Sequence, residues 1–247
     1  MHTIVLATQK GGSGKSTLAI GLALAAMQAG HAVRLIETDP QGTLSNWQLR
    51  RPKPHPVVDA VHSLGEFEER LQIYQRAGMT MTIVDTAGGI SAMTSGVIRH
   101  ADLCLIPVRP SIADIEATAS TLHDIRESSR PFAYVMNQTP YRGQRIAHAA
   151  NALGEEAADH SDGLIAQPLI VMRNDHQDAM AAGLAVGEYS PVGKSADEIR
   201  ALWHWIEARL GAGLAVPQEV QVDQHGALQS LPLYAPVAAG ADAVGLE

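Results

Sequence analysis

A chain of 247 residues, 46% hydrophobic and 18% charged, has apolar material for the core of one large α/β domain. No apolar run approaches the ~18 residues that a bilayer span requires. The formal charge of −8 excludes a uniformly basic nucleic-acid binder, and the single cysteine, Cys104, excludes an intrachain disulfide framework and predicts a reducing compartment. Four of the acids (Glu219, Asp223, Asp242 and Glu247) follow Gly211, where there is no Lys or Arg. The body before them therefore carries −4, and a local basic patch remains open to it.

The first residues, Met1-His2-Thr3-Ile4-Val5-Leu6, carry no basic leader and no small-residue cleavage site, which predicts a cytoplasmic chain. They run into a strand expected at Thr3–Thr8, and a helix is expected at Lys15–Ala29. Between them lies Gln9-Lys10-Gly11-Gly12-Ser13-Gly14-Lys15-Ser16-Thr17, a glycine-rich loop in the strand-to-helix context that phosphate binding needs. Gly11, Gly12 and Gly14 can adopt angles that turn successive amides, including that of Ser13, inward on an anion, and the helix N-terminus at Ser16 and Thr17 adds its partial positive charge. Lys15 is expected on the β- and γ-phosphates, with the Ser16 hydroxyl as a Mg²⁺ ligand. The common pattern G-x-x-x-x-G-K-[ST] places a glycine where this chain has Gln9, and a second lysine, Lys10, precedes the glycines.

A second strand, Ala32–Thr38, leads into Glu37-Thr38-Asp39-Pro40-Gln41-Gly42. Asp39 thus falls at the carboxyl edge of a parallel strand, where it could orient and polarise a water molecule. A weaker strand at Pro56–Asp59 and a helix at Leu64–Arg76 follow. The apolar strand Met81–Asp85 ends in a carboxylate suited to hold Mg²⁺ through water, and Gly88 and Gly89 after it supply a mobile switch. Cys104 is expected to be buried in the strand Leu103–Val108. Next come a helix at Ile112–Glu127, a strand at Phe132–Asn137 and a helix at Gly143–Leu153, at whose start Arg142 and Arg145 stand one turn apart. A weak strand at Leu164–Gln167 and helices at Asp175–Ala182 and Ser195–Leu210 complete the pattern. The last helix has an apolar face (Ile199, Leu202, Ile206, Leu210) suited to packing on a sheet rather than lying on lipid. Gly193-Lys194-Ser195 repeats the letters of a phosphate loop but follows Pro191, and is read as a loop in which Ser195 caps the helix through Glu198.

Strands alternating with helices predict an α/β fold: a doubly wound, mostly parallel sheet with helices on both faces. The phosphate-loop domain is expected to span 1–212, followed by an acidic, Ala/Gly/Val-rich and loosely ordered tail over 213–247.

Over roughly residues 1–210 the chain resembles the ParA/MinD family of P-loop ATPases with a deviant Walker A box, K-G-G-x-G-K-[ST]. It is most similar to short ParA-type partition ATPases without an N-terminal helix-turn-helix domain. The D-x-D-P-Q-G box (Glu37 to Gly42), Asp85-Thr86-Ala87-Gly88 and Asn137 fall in the family's order. The resemblance implies that Lys10 reaches a partner's ATP across a dimer interface, that Asp39 is the hydrolytic aspartate, and that Asn137 recognises adenine. Glu37 stands where the family has Asp, which leaves the role of that position open. Arg173 matches a DNA-contacting arginine of the family, and Arg142 and Arg145 are added as candidates. The family implies ATP and Mg²⁺, a homodimer around ATP, nonspecific DNA as partner, nucleoid association when ATP-bound, and a cargo- or centromere-binding protein that stimulates hydrolysis. A membrane partner is not expected, since the tail lacks the basic amphipathic helix of MinD-type proteins. One cysteine cannot build the cluster of a nitrogenase iron protein, and the 11 histidines show no metal-ligand spacing. Three functions remain: a DNA-segregation ATPase, a positioning ATPase for a protein cargo, and a metabolic P-loop enzyme of the same fold.

Overall fold

A computed structural model describes residues 1–89, 91–158 and 163–211. In chain order the elements are β1 (His2–Leu6), α1 (Lys15–Gln28), β2 (Val33–Glu37), α2 (Thr43–Arg50), β3 (Val57–Ala60), α3 (Leu64–Arg76), β4 (Met81–Asp85), α4 (Ala92–Ile98) and β5 (Leu103–Val108). They continue with α5 (Ile112–Glu116), α6 (Thr118–Glu127), β6 (Phe132–Met136), α7 (Gln144–Ala158), β7 (Gly163–Ile165), α8 (Asp175–Ala181), α9 (Val186–Tyr189) and α10 (Lys194–Gly211). The seven strands form one sheet in the order β3-β2-β4-β1-β5-β6-β7, with parallel pairing between every pair of neighbours.

Alternation along each strand feeds two cores. Ile4 and Leu6 of β1 join Leu18, Leu22, Leu202, Trp203 and Ile206 of α1 and α10 on one face. Val5 and Ala7 join Val97, Leu122, Ile125 and Leu153 of α4, α6 and α7 on the other. A sheet buried on both faces explains why β1 and β5 read as continuous apolar runs. Cys104 is fully buried in β5, and burial pushes its thiol up to about 12, far from a reactive thiolate.

The order of strands fixes the site. From β1 the chain winds outward to β2 and β3, returns to β4 on one flank of β1, then crosses to β5 on the other. The carboxyl end of β1 therefore lies at the switch point of the winding, where open α/β sheets form their binding crevice.

Three sequence expectations need correction. The helix expected over Ile112–Glu127 is divided at Ala117, where the Thr118 hydroxyl donates to the Ile115 carbonyl (2.6 Å) and closes the first segment. Ser195 does not cap α10, which begins one residue earlier at Lys194. It is fully buried and donates to the Asp175 carboxylate (3.1 Å), while Glu198, its supposed capping partner, is engaged by Arg173. Arg142 precedes α7 instead of lying within it, so it and Arg145 do not share a helical turn, although both are exposed. The tail expected over 213–247 lies outside the described residues.

Candidate functional site

The loop between β1 and α1 is shaped by two left-handed residues, Gly12 (φ 74°) and Gly14 (φ 89°), the second being the residue before the first helical turn. A side chain at Gly14 would be strained by its φ and would also overlap the Asn137 amide. Asn137, buried at the end of β6, donates from Nδ2 to the Ser13 carbonyl (2.7 Å), and Gln138 donates from Nε2 to the Gly12 carbonyl (3.0 Å). These amides tie two carbonyls of the loop, and no loop N–H from Lys10 to Gly14 donates within the described residues. The other end of the loop is held by α6: the Gln9 N–H donates to the Thr121 hydroxyl (3.1 Å), and the Ser120 hydroxyl donates to the Gln9 side chain. Nothing local in the sequence signals the roles of Gln138, Ser120 and Thr121, which arise from contacts more than a hundred residues apart.

Lys15 opens α1 and is only 7% exposed. Burial lowers its pKa, while Asp85 and Asp39 pull it back up, so both carboxylates face this ammonium. The structure thus gathers Lys15, Asp39 and Asp85 from the ends of β1, β2 and β4, as their positions in the sequence require. Thr17 turns away from the loop, its hydroxyl on the Met180 sulfur of α8 (3.1 Å).

Asp85 is fully buried, and neither carboxylate oxygen has a hydrogen-bond partner among the described residues. Burial pushes its carboxyl up to about 7, opposed by the nearby Ser16 hydroxyl and Lys15 and reinforced by Glu37 and Asp39. The Ser16 hydroxyl is close enough to act on the carboxylate without completing a hydrogen bond of standard geometry. The buried Ser13 hydroxyl is likewise unpartnered. Buried polar groups are rarely left so in a finished structure.

An orphaned carboxylate facing a serine hydroxyl beside a phosphate-type loop suits a hydrated Mg²⁺, which keeps several waters and takes one or two protein oxygens. No cage of three or more His, Cys, Asp or Glu side chains exists among the described residues, as such a metal requires none. The unbonded loop amides, the N-terminus of α1 and the buried Lys15 suit a nucleotide polyphosphate.

Asp39 lies on the loop between β2 and α2. Its Oδ1 accepts the Gln41 N–H (2.9 Å), a short local turn that fixes the carboxylate. Lys10 is partly exposed and forms no ion pair or side-chain hydrogen bond among the described residues. Gly88 packs on Gly11 and the Gly89 N–H reaches the Thr8 carbonyl (3.4 Å), so the segment after β4 touches the phosphate loop.

Arg173 does not stand free. Its guanidinium makes a two-pronged contact with Glu198 (2.7 Å on both arms), which also accepts the Val171 N–H, and this hydrogen bonding raises the arginine's pKa.

A phosphate loop at the switch point of a parallel sheet defines a P-loop nucleotide-binding protein. Residues 4–183 match the family described as CbiA, the CobQ/CobB/MinD/ParA nucleotide binding domain, and the chain belongs to that family. It is 32% identical over 150 residues to the protein ParA of Rhizobium radiobacter, a match covering 60% of this chain and 63% of that one. It is 28% identical over 212 residues to the maintenance of carboxysome distribution protein A of Halothiobacillus neapolitanus, covering 80% and 92%. Among solved structures, cobyrinic acid a,c-diamide synthase from Mycobacterium smegmatis with bound ATP analog and magnesium superposes with a TM-score of 0.68 at 15% identity, over 88% of this chain and 98% of that one. At that identity the likeness shows the fold alone. No helix among the described residues is long and apolar enough to cross a membrane.

Proposed function

We propose that this chain is a ParA-type ATPase. It binds Mg·ATP in the phosphate loop, pairs with a second copy around the nucleotide, hydrolyses ATP slowly, and uses the ATP dimer on nonspecific DNA to position plasmid or chromosomal DNA. The observation that carries this reading is the contrast between two lysines five residues apart. Lys15 is buried and feels both Asp85 and Asp39, whereas Lys10 is partly exposed and has no ion pair or side-chain hydrogen bond among the described residues. A cation left unpaired beside a polyphosphate site is available to a second copy's nucleotide.

Within one subunit, Lys15 and the loop amides would cradle the phosphates, Ser16 and Asp85 would hold the metal, and Asn137 would sit at the base. When bound, Mg²⁺ supplies charge neutralisation on the β- and γ-phosphate oxygens. Asp39 would orient the attacking water and accept its proton. A partner protein on the cargo would accelerate this step.

A second reading, positioning of a protein cargo with weak DNA binding, is favoured by the pairing of Arg173 with Glu198, which leaves Arg142 and Arg145 as the exposed members of the basic set. Similarity to a carboxysome distribution protein points the same way. Sedimentation and DNA retention with a non-hydrolysable ATP analogue, against ADP, separate the readings. The wild type should dimerise only with the analogue, and Lys10→Ala should bind it yet stay monomeric. A wild type that stays monomeric refutes the ATP-dimer reading. A dimer that ignores DNA at about 50 mM salt leaves the protein-cargo reading in place.

A further inference from the structure

Glu37 closes β2 and is 2% exposed, a carboxylate taken out of water at the edge of the site. Among the described residues it is not paired with a cation. Its Oε1 accepts the Leu44 N–H (2.6 Å), and its Oε2 accepts the Ser45 N–H (3.0 Å) together with the Ser45 hydroxyl. Leu44 and Ser45 belong to the first turn of α2. The residue before that helix, Gly42, has no side chain to cap it and takes a left-handed φ of 68°. Glu37 therefore caps α2 from the end of the preceding strand, and three donors plus the helix dipole offset its burial.

The consequence concerns residues 38–42, the loop that carries Asp39. On one side the Thr38 N–H is fixed to the Asp85 carbonyl (2.9 Å), and Glu37 itself stands in register opposite Asp85 across β2 and β4. On the other side Glu37 pins the first turn of α2. Inside this clamp the Gly42 N–H returns to the Asp39 carbonyl (3.1 Å) and the Gln41 N–H to the Asp39 Oδ1 (2.9 Å). The Asp39 Oδ2 keeps no hydrogen bond among the described residues. Both ends of a five-residue loop are thus tied to the strand that bears Glu37 and to its neighbour, and the Asp39 carboxylate within it has one oxygen fixed by the Gln41 N–H.

We infer that Glu37 is a positioning residue for hydrolysis: by clamping α2 to β2 it holds the Asp39 carboxylate at the place where a water molecule must be oriented. The inference rests on the reading of Asp39 as the water-orienting group. A displacement of about 1 Å at such a group costs up to about a hundredfold in rate, while the phosphate loop, built from β1 and α1, is not part of the clamp. Opening the clamp should therefore lower turnover without weakening nucleotide binding.

Glu37→Gln tests this in the full chain. Both oxygens of Glu37 only accept, and a glutamine must turn an NH₂ toward either the Leu44 or the Ser45 donors, which breaks one arm. Turnover should fall at least about tenfold, with the affinity for a fluorescent ATP analogue changed less than about twofold. Ser45→Ala, which keeps the carboxylate and both backbone bonds, should lower turnover by a factor of about two to three, again at constant affinity. Asp39→Ala serves as the reference. If Asp39→Ala hydrolyses ATP like the wild type, the assignment of Asp39 fails and the inference falls with it. If Asp39→Ala is inactive but a folded Glu37→Gln turns over normally, only the role of Glu37 is overturned. A loss of affinity that matches the loss of turnover also overturns it, because Glu37 would then serve binding. Should Glu37→Gln fail to fold by circular dichroism, Ser45→Ala decides: reduced turnover at unchanged affinity supports the clamp, and unchanged turnover refutes it.

Discussion

Two groups of buried charge flank α8, and they are built on opposite principles. On the phosphate-loop side, where Met180 of α8 touches Thr17, neither oxygen of Asp85 has a hydrogen-bond partner among the described residues, and Lys15 is desolvated with Asp85 and Asp39 to support its charge. On the α2 side, where the Met180 carbonyl accepts from Arg50, every charge is accounted for. Glu188, 6% exposed, accepts both arms of Arg51 (2.7 and 2.9 Å), the Lys53 ammonium (3.0 Å) and the Ala185 N–H (3.0 Å). Arg51, 2% exposed, further donates to the His55 and Gly183 carbonyls and lies over the Trp47 ring. Gly183 belongs to the same arrangement, since a Cβ there would collide with the Arg50 backbone. The closed group holds α2 against α9, and the open group awaits a ligand that brings its own charge.

The largest expected effect breaks the closed group. Glu188→Gln keeps the shape but leaves Arg51 buried without its counter-charge, which costs about 3 kcal/mol when a buried pair is broken. Urea unfolding at pH 7 should show that loss. The effect has a fixed pH sense. Although burial raises it, hydrogen bonds from Arg51, Ala185 and Lys53 hold the Glu188 carboxyl down at about 2. Its contribution is therefore complete above the unfolded carboxyl range near 4.5 and is lost as pH falls toward 2. Wild type and Glu188→Gln should converge in stability over that interval, and a constant difference down to pH 2 would show that the pair is not what the substitution removes.

The same kind of change in the open group should act in the opposite direction. Asp85→Asn removes a buried carboxylate that no hydrogen bond among the described residues satisfies and whose burial outweighs the help of Ser16 and Lys15, so the nucleotide-free protein should gain about 1 to 2 kcal/mol at pH 8. Thermal melts supply the check in two arms. Without ligand the variant should melt above the wild type. With Mg²⁺ and ATP the wild type should rise by linkage while the variant barely moves. A variant that melts lower in both arms would make Asp85 an ordinary structural residue.

The contrast also marks what the sequence could disclose. Features written within a few residues were legible. All seven strands fall where the apolar runs predict, and α3 begins and ends as expected because Ser63 caps it and Glu66 sits in its first turn. That Lys15, Asp39 and Asp85 come together was legible because Asp85 ends β4 while Asp39 stands in the loop after β2 and Lys15 just beyond the loop after β1 of one parallel sheet. Features written across the fold were not. Helix α2 escaped notice since Gly42 offers no capping side chain and the cap comes from Glu37, back in β2. The short α4 and α9 have too few turns to show a period. Ser195 and Glu198 carry a convincing local capping pattern, yet both are claimed by Asp175 and Arg173 from a different part of the chain. Arg173 is the same lesson at a proposed interface, where position suggested a contact and a carboxylate 25 residues away had taken it.

That loss sharpens the smallest prediction, which concerns DNA. With Arg173 held by Glu198, each subunit presents two exposed arginines of the proposed set, Arg142 and Arg145. A dimer would then neutralise four phosphates, and log affinity should fall with log salt at a slope of about −3.6, at roughly 0.9 per phosphate. Arg145 stands in the first turn of α7, where its backbone is fixed, so Arg145→Ala should remove two of the four contacts without disturbing the fold. The slope should flatten to about −1.8 and affinity near 0.1 M salt should drop severalfold, by about the same factor for any duplex sequence. Dimerisation with an ATP analogue should be unchanged, because the side chain is exposed and makes no ion pair among the described residues. A wild-type slope near −5 would mean that three arginines per subunit reach the duplex and that Arg173 leaves Glu198 when DNA binds. An Arg145→Ala slope equal to that of the wild type would place the DNA-binding face elsewhere on the dimer, away from α7.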